Sequence, residues 1–448
     1  MKSLSSIPSA PNSLPILGHL VPLLRDPLAF LRSLPACGKL VRVRMGPLAM
    51  VVICDPELTQ QALVDDRSFD KGGPLYDRIR EVLGESLGTC PHSAHRRLRR
   101  LAQPAFHPAR LPGYAQTMST CLDEATRSWQ PGQVLDVPTE MIKITSEVTA
   151  ATLFSDALPP AELDQIFQDV QTVVDGWYHR MFLIPPLDRL PSPGNRSYQR
   201  ARTHLHDTCN RIIVKRQADR TDHGDLLSAL IAARDPETSG RGMTDAEIGD
   251  AIVNFYIGGA ETTASVLAWA LHLLAQNPEI EKRLHTEVDT VLGTAPATHA
   301  DLPRLELAGR IITETLRLRA PGWFLTRKVT TDTHLGGHLL PAGTSIAYSP
   351  YLIHHRPDLY DQAEAFDPDR WHPQRPQPPR HAFLPFAAGS RKCIGDTFAM
   401  TQATIALATI TARWHLEHMP GHQEVRPALG TVMRPRELHM TASPRTTT

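Results

Sequence analysis

The stretch Phe386-Ala-Ala-Gly389-Ser-Arg391-Lys-Cys393-Ile-Gly395 sets one cysteine behind a glycine-bearing loop and just ahead of an apolar, helix-like segment at 398–412. Amides at a helix start point outward and favour negative charge, so they can hydrogen-bond a sulfur. Such bonds and a nearby cation favour the thiolate, the form that binds a metal. A fold that uses this chemistry must bring loop, helix start and a cleft together. On this reading Gly389 and Gly395 let the backbone pass close to a flat cofactor. Phe386 shields the sulfur from water, and Arg391 offers a fork to an anionic group at the cofactor's edge. The same pattern also suits an inert, buried cysteine at a loop–helix junction, the commoner fate of a lone Cys.

The remaining composition narrows the class. A chain of 448 residues exceeds what one hydrophobic core usually serves, so two domains or one large enzyme fold are expected. Formal net charge is zero, which argues against a nucleic-acid binder. The six cysteines fall singly, without C-x-x-C or zinc spacing, as reduced thiols of a cytoplasmic protein do. The first twenty residues lack a long apolar core, so neither signal peptide nor membrane anchor is expected. Residues 251–276 are apolar enough to suggest a span, but Asn254, Gly258, Gly259, Glu261, Thr262 and Thr263 in their middle point to a buried helix beside a polar site.

In chain order, residues 41–45 and 50–54 alternate like strands around Gly46-Pro47 and form a hairpin. Residues 56–65 read as a helix, and 69–91 as a long breaker-rich loop of functional character. Five cationic or titratable side chains crowd positions 95–100, normally a solvated helix face. Within them His95 and Arg99, four apart, share one side. Helical patterns follow at 111–129, 140–153, 160–181 and 198–217. The Pro-rich break at 184–194 fits a lid or plain packing equally well.

Thr244-Asp-Ala-Glu247 is a capping box opening a helix of some thirty residues. Paired Gly258-Gly259 in its interior cost about 1 kcal/mol each relative to Ala. They fit either an opened turn beside a metal or close packing on another helix. Ile252, Phe255, Tyr256 and Val266 are candidate pocket walls, or core. Glu314 and Arg317 lie three apart on an amphipathic helix ending before Pro321, with Arg370 a possible third member in Phe366-Asp-Pro-Asp-Arg370-Trp371. Strands are expected near 323–327 and 335–348, and a closing hairpin over 428–433.

These motifs resemble the cytochrome P450 family, whose haem-binding signature Phe-x-x-Gly-x-Arg-x-Cys-x-Gly is met at every named position. The Gly-Gly-Ala-Glu261-Thr262-Thr263 stretch, the His95-x-x-x-Arg99 helix and the Glu314-x-x-Arg317 helix are similar to the family's in order and spacing. Pro91-His92 departs from it, standing where relatives usually show Asp-Gly. The resemblance implies a mainly α fold, a helical prism with a smaller β-rich region. Here that region would fall at 38–60, 321–350 and 425–440 of a single domain covering 1–448. It implies haem b ligated by the Cys393 thiolate, with His95, Arg99 and Arg327 on the propionates. It also implies that Thr262 hydrogen-bonds bound dioxygen, Glu261 relays protons, and Phe324 and Leu325 join Ile252, Phe255 and Tyr256 at the substrate. The implied reaction inserts one atom of O2 into an apolar small molecule. With no nucleotide fingerprint in the chain, electrons from NAD(P)H would arrive through a ferredoxin and its reductase. Arg391, Lys392 and the 96–100 helix would form a basic docking face. A monomer is expected. The closest likeness is to terpene-oxidising bacterial members. A polyketide, macrolide or fatty acid substrate is the alternative, and a non-oxygenating haem–thiolate sensor or isomerase is the alternative class.

Overall fold

The computed structural model describes residues 3–155, 159–181, 190, 192–219, 221–421 and 424–445. Most of the expected 184–194 break lies outside them. Helices dominate: α1 (Leu20–Arg25), α2 (Pro27–Ser33), α3 (Pro56–Val64), α4 (Pro74–Leu83) and α5 (His92–Ala102) make up the N-terminal part. There follow α6 (Leu111–Arg127), α7 (Val137–Phe154), α8 (Pro160–Met181), α9 (Pro193–Asp219) and α10 (Leu226–Ala232). The set is completed by α11 (Asp245–Ala275), α12 (Pro278–Leu292), α13 (Glu306–Leu318), α14 (Pro350–His354) and α15 (Asp396–Arg413).

The expected 41–54 hairpin is β1 (Leu40–Met45) with β2 (Leu48–Ile53), paired antiparallel. It joins β3 (Phe69–Asp70), β5 (Leu325–Val329) and β8 (Ser345–Tyr348) in one sheet of order β1-β2-β8-β5-β3. A small hairpin, β6 (Thr333–Leu335) with β7 (His338–Leu340), stands beside it. The closing hairpin is β10 (Pro427–Leu429) with β11 (Met433–Pro435). Sequence periodicity missed a further sheet, in which β12 (His439–Pro444) pairs with both β4 (Gln133–Asp136) and β9 (Trp414–His418). Its strands are short and lie far apart in the chain, so no local alternation marks them. The expected loop at 69–91 is likewise corrected. Pro74 at its first position and the apolar–polar pattern of PLYDRIREVL build α4 there.

The capping box forms as read: Glu247 N donates to Thr244 Oγ1 at 3.2 Å and Thr244 N to Glu247 Oε2 at 2.9 Å. From it α11 runs 31 residues, buried for most of its length, and packs most extensively on α7. An all-round apolar helix needs a core on every side. Here that core is supplied by α7, α9, α13 and α15. Among the described residues no helix is long and apolar enough to cross a membrane.

Glu314 and Arg317 are wholly buried and paired in fork geometry at 2.9 and 2.8 Å. Arg317 also donates to the carbonyls of His354, Ala363 and Ala365. Glu314 accepts from Trp371 Nε1 at 2.8 Å and Asp367 N at 3.1 Å, with Arg370 Nε at 3.5 Å. Every lone pair of the buried carboxylate is used, the condition under which a buried ion pair is tolerated. The network ties α13 to the irregular 354–371 segment ahead of the cysteine loop.

Candidate active site

The cysteine loop is closed by Cys393 N donating to Phe386 O at 2.9 Å. Its tight path takes Ala387 and Gly389 to φ of 57° and 71°. A Cβ on Gly389 would sit 2.4 Å from Leu63 O. Gly389 therefore serves the turn and the contact with α3, not close approach to a cofactor as expected. Gly395 caps α15 and does line the cavity, with Phe106 the nearest neighbour of a Cβ there, at 3.7 Å. Phe386 and Cys393 face the same cavity, of about 420 Å³. The dense surroundings of Cys393 push its thiol up, against the smaller pull of the Gly395 amide. A metal facing the sulfur would favour the thiolate.

Into the same cavity α11 presents a stripe, Asn254/Phe255, Gly258/Gly259, Thr262/Thr263 and Val266, at helical spacing. The helix is unbroken through the glycine pair, so no opened turn is present. The two glycines have different reasons. A Cβ on Gly259 would meet Thr149 of α7 at 3.1 Å, whereas one on Gly258 would project into open space within the cavity. Thr262 Oγ1 donates to Gly258 O at 2.6 Å. Phe255 packs edge-on against Phe106, ring centroids 5.0 Å apart.

Several expected wall residues are elsewhere. Ile252 and Tyr256 sit off the stripe in the core, and Phe324 packs beside Trp323, leaving Leu325 as the cavity residue of that pair. Glu261, one step from Thr262 and so about 100° around the helix, is buried on the flank. There Oε1 accepts from Gln171 Nε2 of α8 at 2.8 Å. Burial raises its pKa, against the attraction of Arg434.

A cationic rim crosses one side of the cavity. Arg327 is 2% exposed, and its nearest side-chain partner is the Tyr76 hydroxyl at 3.5 Å. His95 is buried, and among the described residues no protein group hydrogen-bonds its ring. Burial, then Arg391 and Lys71, bring its pKa down to about 3. Arg99 reaches the Lys392 carbonyl and Gln103. Lys71, missed in the sequence, joins them. Its ammonium donates to Gly88 O at 2.6 Å, and burial with Arg327 and Arg391 lowers its pKa to about 7. A single lysine in Asp70-Lys71-Gly72-Gly73 was the available signal. Buried positive groups this poorly paired fit an anionic ligand.

Arg391 also lines the cavity, with its guanidinium already engaged on its far side. It is held by Asp66 at 2.9 Å, Asp70 at 2.7 Å and the Cys90 carbonyl at 2.9 Å. Asp70 also accepts from His92 N at 2.7 Å, which caps α5 where Pro91 offers no side-chain cap. The side chains expected to form a basic docking face are each engaged within the chain. Arg391 is buried, Arg96 pairs with Glu237, Arg97 with Glu247, Arg100 with Asp235 and Glu237, and Lys392 with Asp396.

A family model described as Cytochrome P450 matches residues 8–442. A cyclooctat-9-en-7-ol 5-monooxygenase of Streptomyces melanosporofaciens is 45% identical over 415 residues, 92% of this chain and 90% of its own. A pentalenene oxygenase of Streptomyces avermitilis is 44% identical over 440 residues, 98% and 97% of the two chains. The crystal structure of a cytochrome P450DA heme domain matches with a TM-score of 0.89 at 25% identity, covering 98% of both chains.

Proposed function

Because this chain belongs to the cytochrome P450 family and is a haem–thiolate monooxygenase, we propose that it oxidises a terpenoid, with Cys393 as the residue that would ligate the haem iron and the α11 stripe facing the substrate. Bound haem supplies the activation of O2, and a cysteine thiolate pushes electron density towards O–O cleavage. The observation that carries the reading is one cavity lined by both Cys393 and Thr262. Arg327, His95, Arg99 and Lys71 would hold the two haem carboxylates, each gaining the anionic partner it lacks.

Thr262 holds its hydroxyl at the cavity through the bond to Gly258 O. Its oxygen lone pairs remain available to accept a hydrogen bond. Glu261, with its raised pKa, retains a proton to higher pH than an exposed carboxyl. To act at Thr262 its carboxyl would have to leave Gln171, since adjacent positions on a helix do not face each other. Phe255, Val266, Leu153, Leu226 and Leu325 give the substrate apolar walls. Cations gather at the rim, where the haem carboxylates would engage them, so a fatty-acid carboxylate would have no partner among those walls.

The relatives named for cyclooctat-9-en-7-ol and pentalenene support a cyclic terpenoid substrate. Electrons would come from a ferredoxin and its reductase. Titration of purified holoenzyme with sesquiterpenes and cyclic diterpenes should move the Soret band towards the high-spin position. A panel that leaves the band unmoved, while a macrolide or fatty acid moves it, overturns the terpenoid reading.

A further inference from the structure

The loop from Gly84 to Cys90 lies on α11 through two matched positions. A Cβ on Gly84 would fall 2.0 Å from Asp250 Oδ2, and one on Gly88 would fall 2.4 Å from Asn254 Oδ1. Glycines four apart thus face polar residues four apart, one helical turn. The two pairs differ in use. Asp250 holds the loop, accepting from Glu85 N at 3.0 Å. Asn254 sits one turn deeper, on the cavity stripe. Among the described residues no protein group hydrogen-bonds its amide. Loop docking therefore accounts for Asp250 and leaves the amide of Asn254 unused.

We infer that Asn254 anchors an oxygen already present on the substrate. This rests on the terpenoid reading above and deepens it: the substrate is an oxygenated terpenoid, an alcohol, not the bare hydrocarbon. A primary amide offers one acceptor and a donor pair, the complement of a hydroxyl. The wall residues Leu87, Phe255 and Leu226 are apolar, and Lys71 is engaged on the Gly88 carbonyl at 2.6 Å. Asn254 lies eight residues before Thr262, about 12 Å along the helix axis at 1.5 Å per residue. The anchored hydroxyl and the carbon to be oxidised are then at opposite ends of a molecule of terpenoid size. The reaction before this one must install that hydroxyl. A cyclisation ending in capture of a carbocation by water, with loss of a proton, does so without an oxidant.

The test uses holoenzyme and matched pairs, cedrene with cedrol and abietadiene with abietadienol, followed by Soret spin-state titration and by calorimetry. The wild type should bind the alcohol of a pair about tenfold more tightly than the hydrocarbon, the worth of one good neutral hydrogen bond. Asn254→Leu should remove the preference by tightening the hydrocarbon and loosening the alcohol. Asn254→Ser, which puts a hydroxyl donor and acceptor in place of the amide and needs no extra room beside Gly88, should retain part of it. The reduced carbon-monoxide spectrum of each variant reports folding and cofactor loading. An alcohol-to-hydrocarbon ratio unchanged by both substitutions overturns the anchor and leaves the terpenoid reading standing. Binding of neither member of either pair by well-loaded wild type overturns both.

Discussion

Glu261 Oε1 accepts a hydrogen bond from Gln171 Nε2 at 2.8 Å, joining the central helix α11 to α8 on the flank of the cavity. The carboxyl expected to relay protons is therefore stored one helix face away from Thr262, in surroundings that favour its protonated form. Replacing it with an amide tests both features. Glu261→Gln should lower product formation roughly a hundredfold, the scale of a lost general acid, with haem loading unchanged.

The same substitution has a stability signature. The pKa of Glu261 is raised in the folded protein by burial, so the folded state holds its proton to higher pH than the unfolded chain does. That contribution is present below the ordinary glutamate value, about 4.3, and is lost as pH rises through the higher folded value. Glu261→Gln should raise Tm more at pH 8 than at pH 5. An equal or reversed effect contradicts the buried assignment.

Lys71 gives a second pH prediction. With its pKa lowered to about 7, it is largely neutral at pH 8 in the apoprotein, and a carboxylate brought beside it would restore the charge. Haem binding to apoprotein at pH 8 should take up close to one proton, declining below pH 7, where Lys71 is already charged. Calorimetry in buffers of different ionisation enthalpy measures this. Lys71→Met should abolish the uptake.

Arg327 is buried with one weak side-chain partner. Arg327→Ala should weaken haem retention by about 1.5–3 kcal/mol, the worth of a hydrogen bond to a charged group. Transfer of haem to apomyoglobin gives the rate, which should rise about tenfold or more. Retention unchanged from wild type would remove Arg327 from the rim.

Removing one member of the buried Glu314–Arg317 pair should cost about 3–5 kcal/mol, because the other charge is left unpaired. Arg317→Lys keeps the charge but not the fork, and should also lose much of the bonding to the His354, Ala363 and Ala365 carbonyls. Thermal unfolding of both variants measures this. A Tm close to wild type in Arg317→Ala would mean the pair carries no structural weight.

Much of the site was legible because its motifs are local. The capping box, the Glu314–Arg317 spacing and the cysteine loop each lie within a dozen residues, and local geometry follows from local sequence. What was misread depends on distant partners. Nothing local announces that Asp66 and Asp70, more than three hundred residues earlier, also hold the Arg391 guanidinium. Gly389 is needed against Leu63, and Gly259 against Thr149, contacts that no spacing rule contains. Ile252 and Tyr256 share a helix with Phe255, but only position 255 falls on the cavity stripe. Lys71 and Asn254 went unassigned because a lone polar residue acquires meaning only from the wall on which it sits.

The central claim is that Cys393 provides the axial sulfur to the haem. The most direct measurement is the carbon-monoxide difference spectrum of reduced protein, wild type beside Cys393→His. Wild type should show the long-wavelength Soret band of a thiolate-ligated haem, and the variant should move it to the shorter wavelength of imidazole ligation and lose monooxygenase turnover. A variant that keeps the long-wavelength band and full turnover would contradict the account.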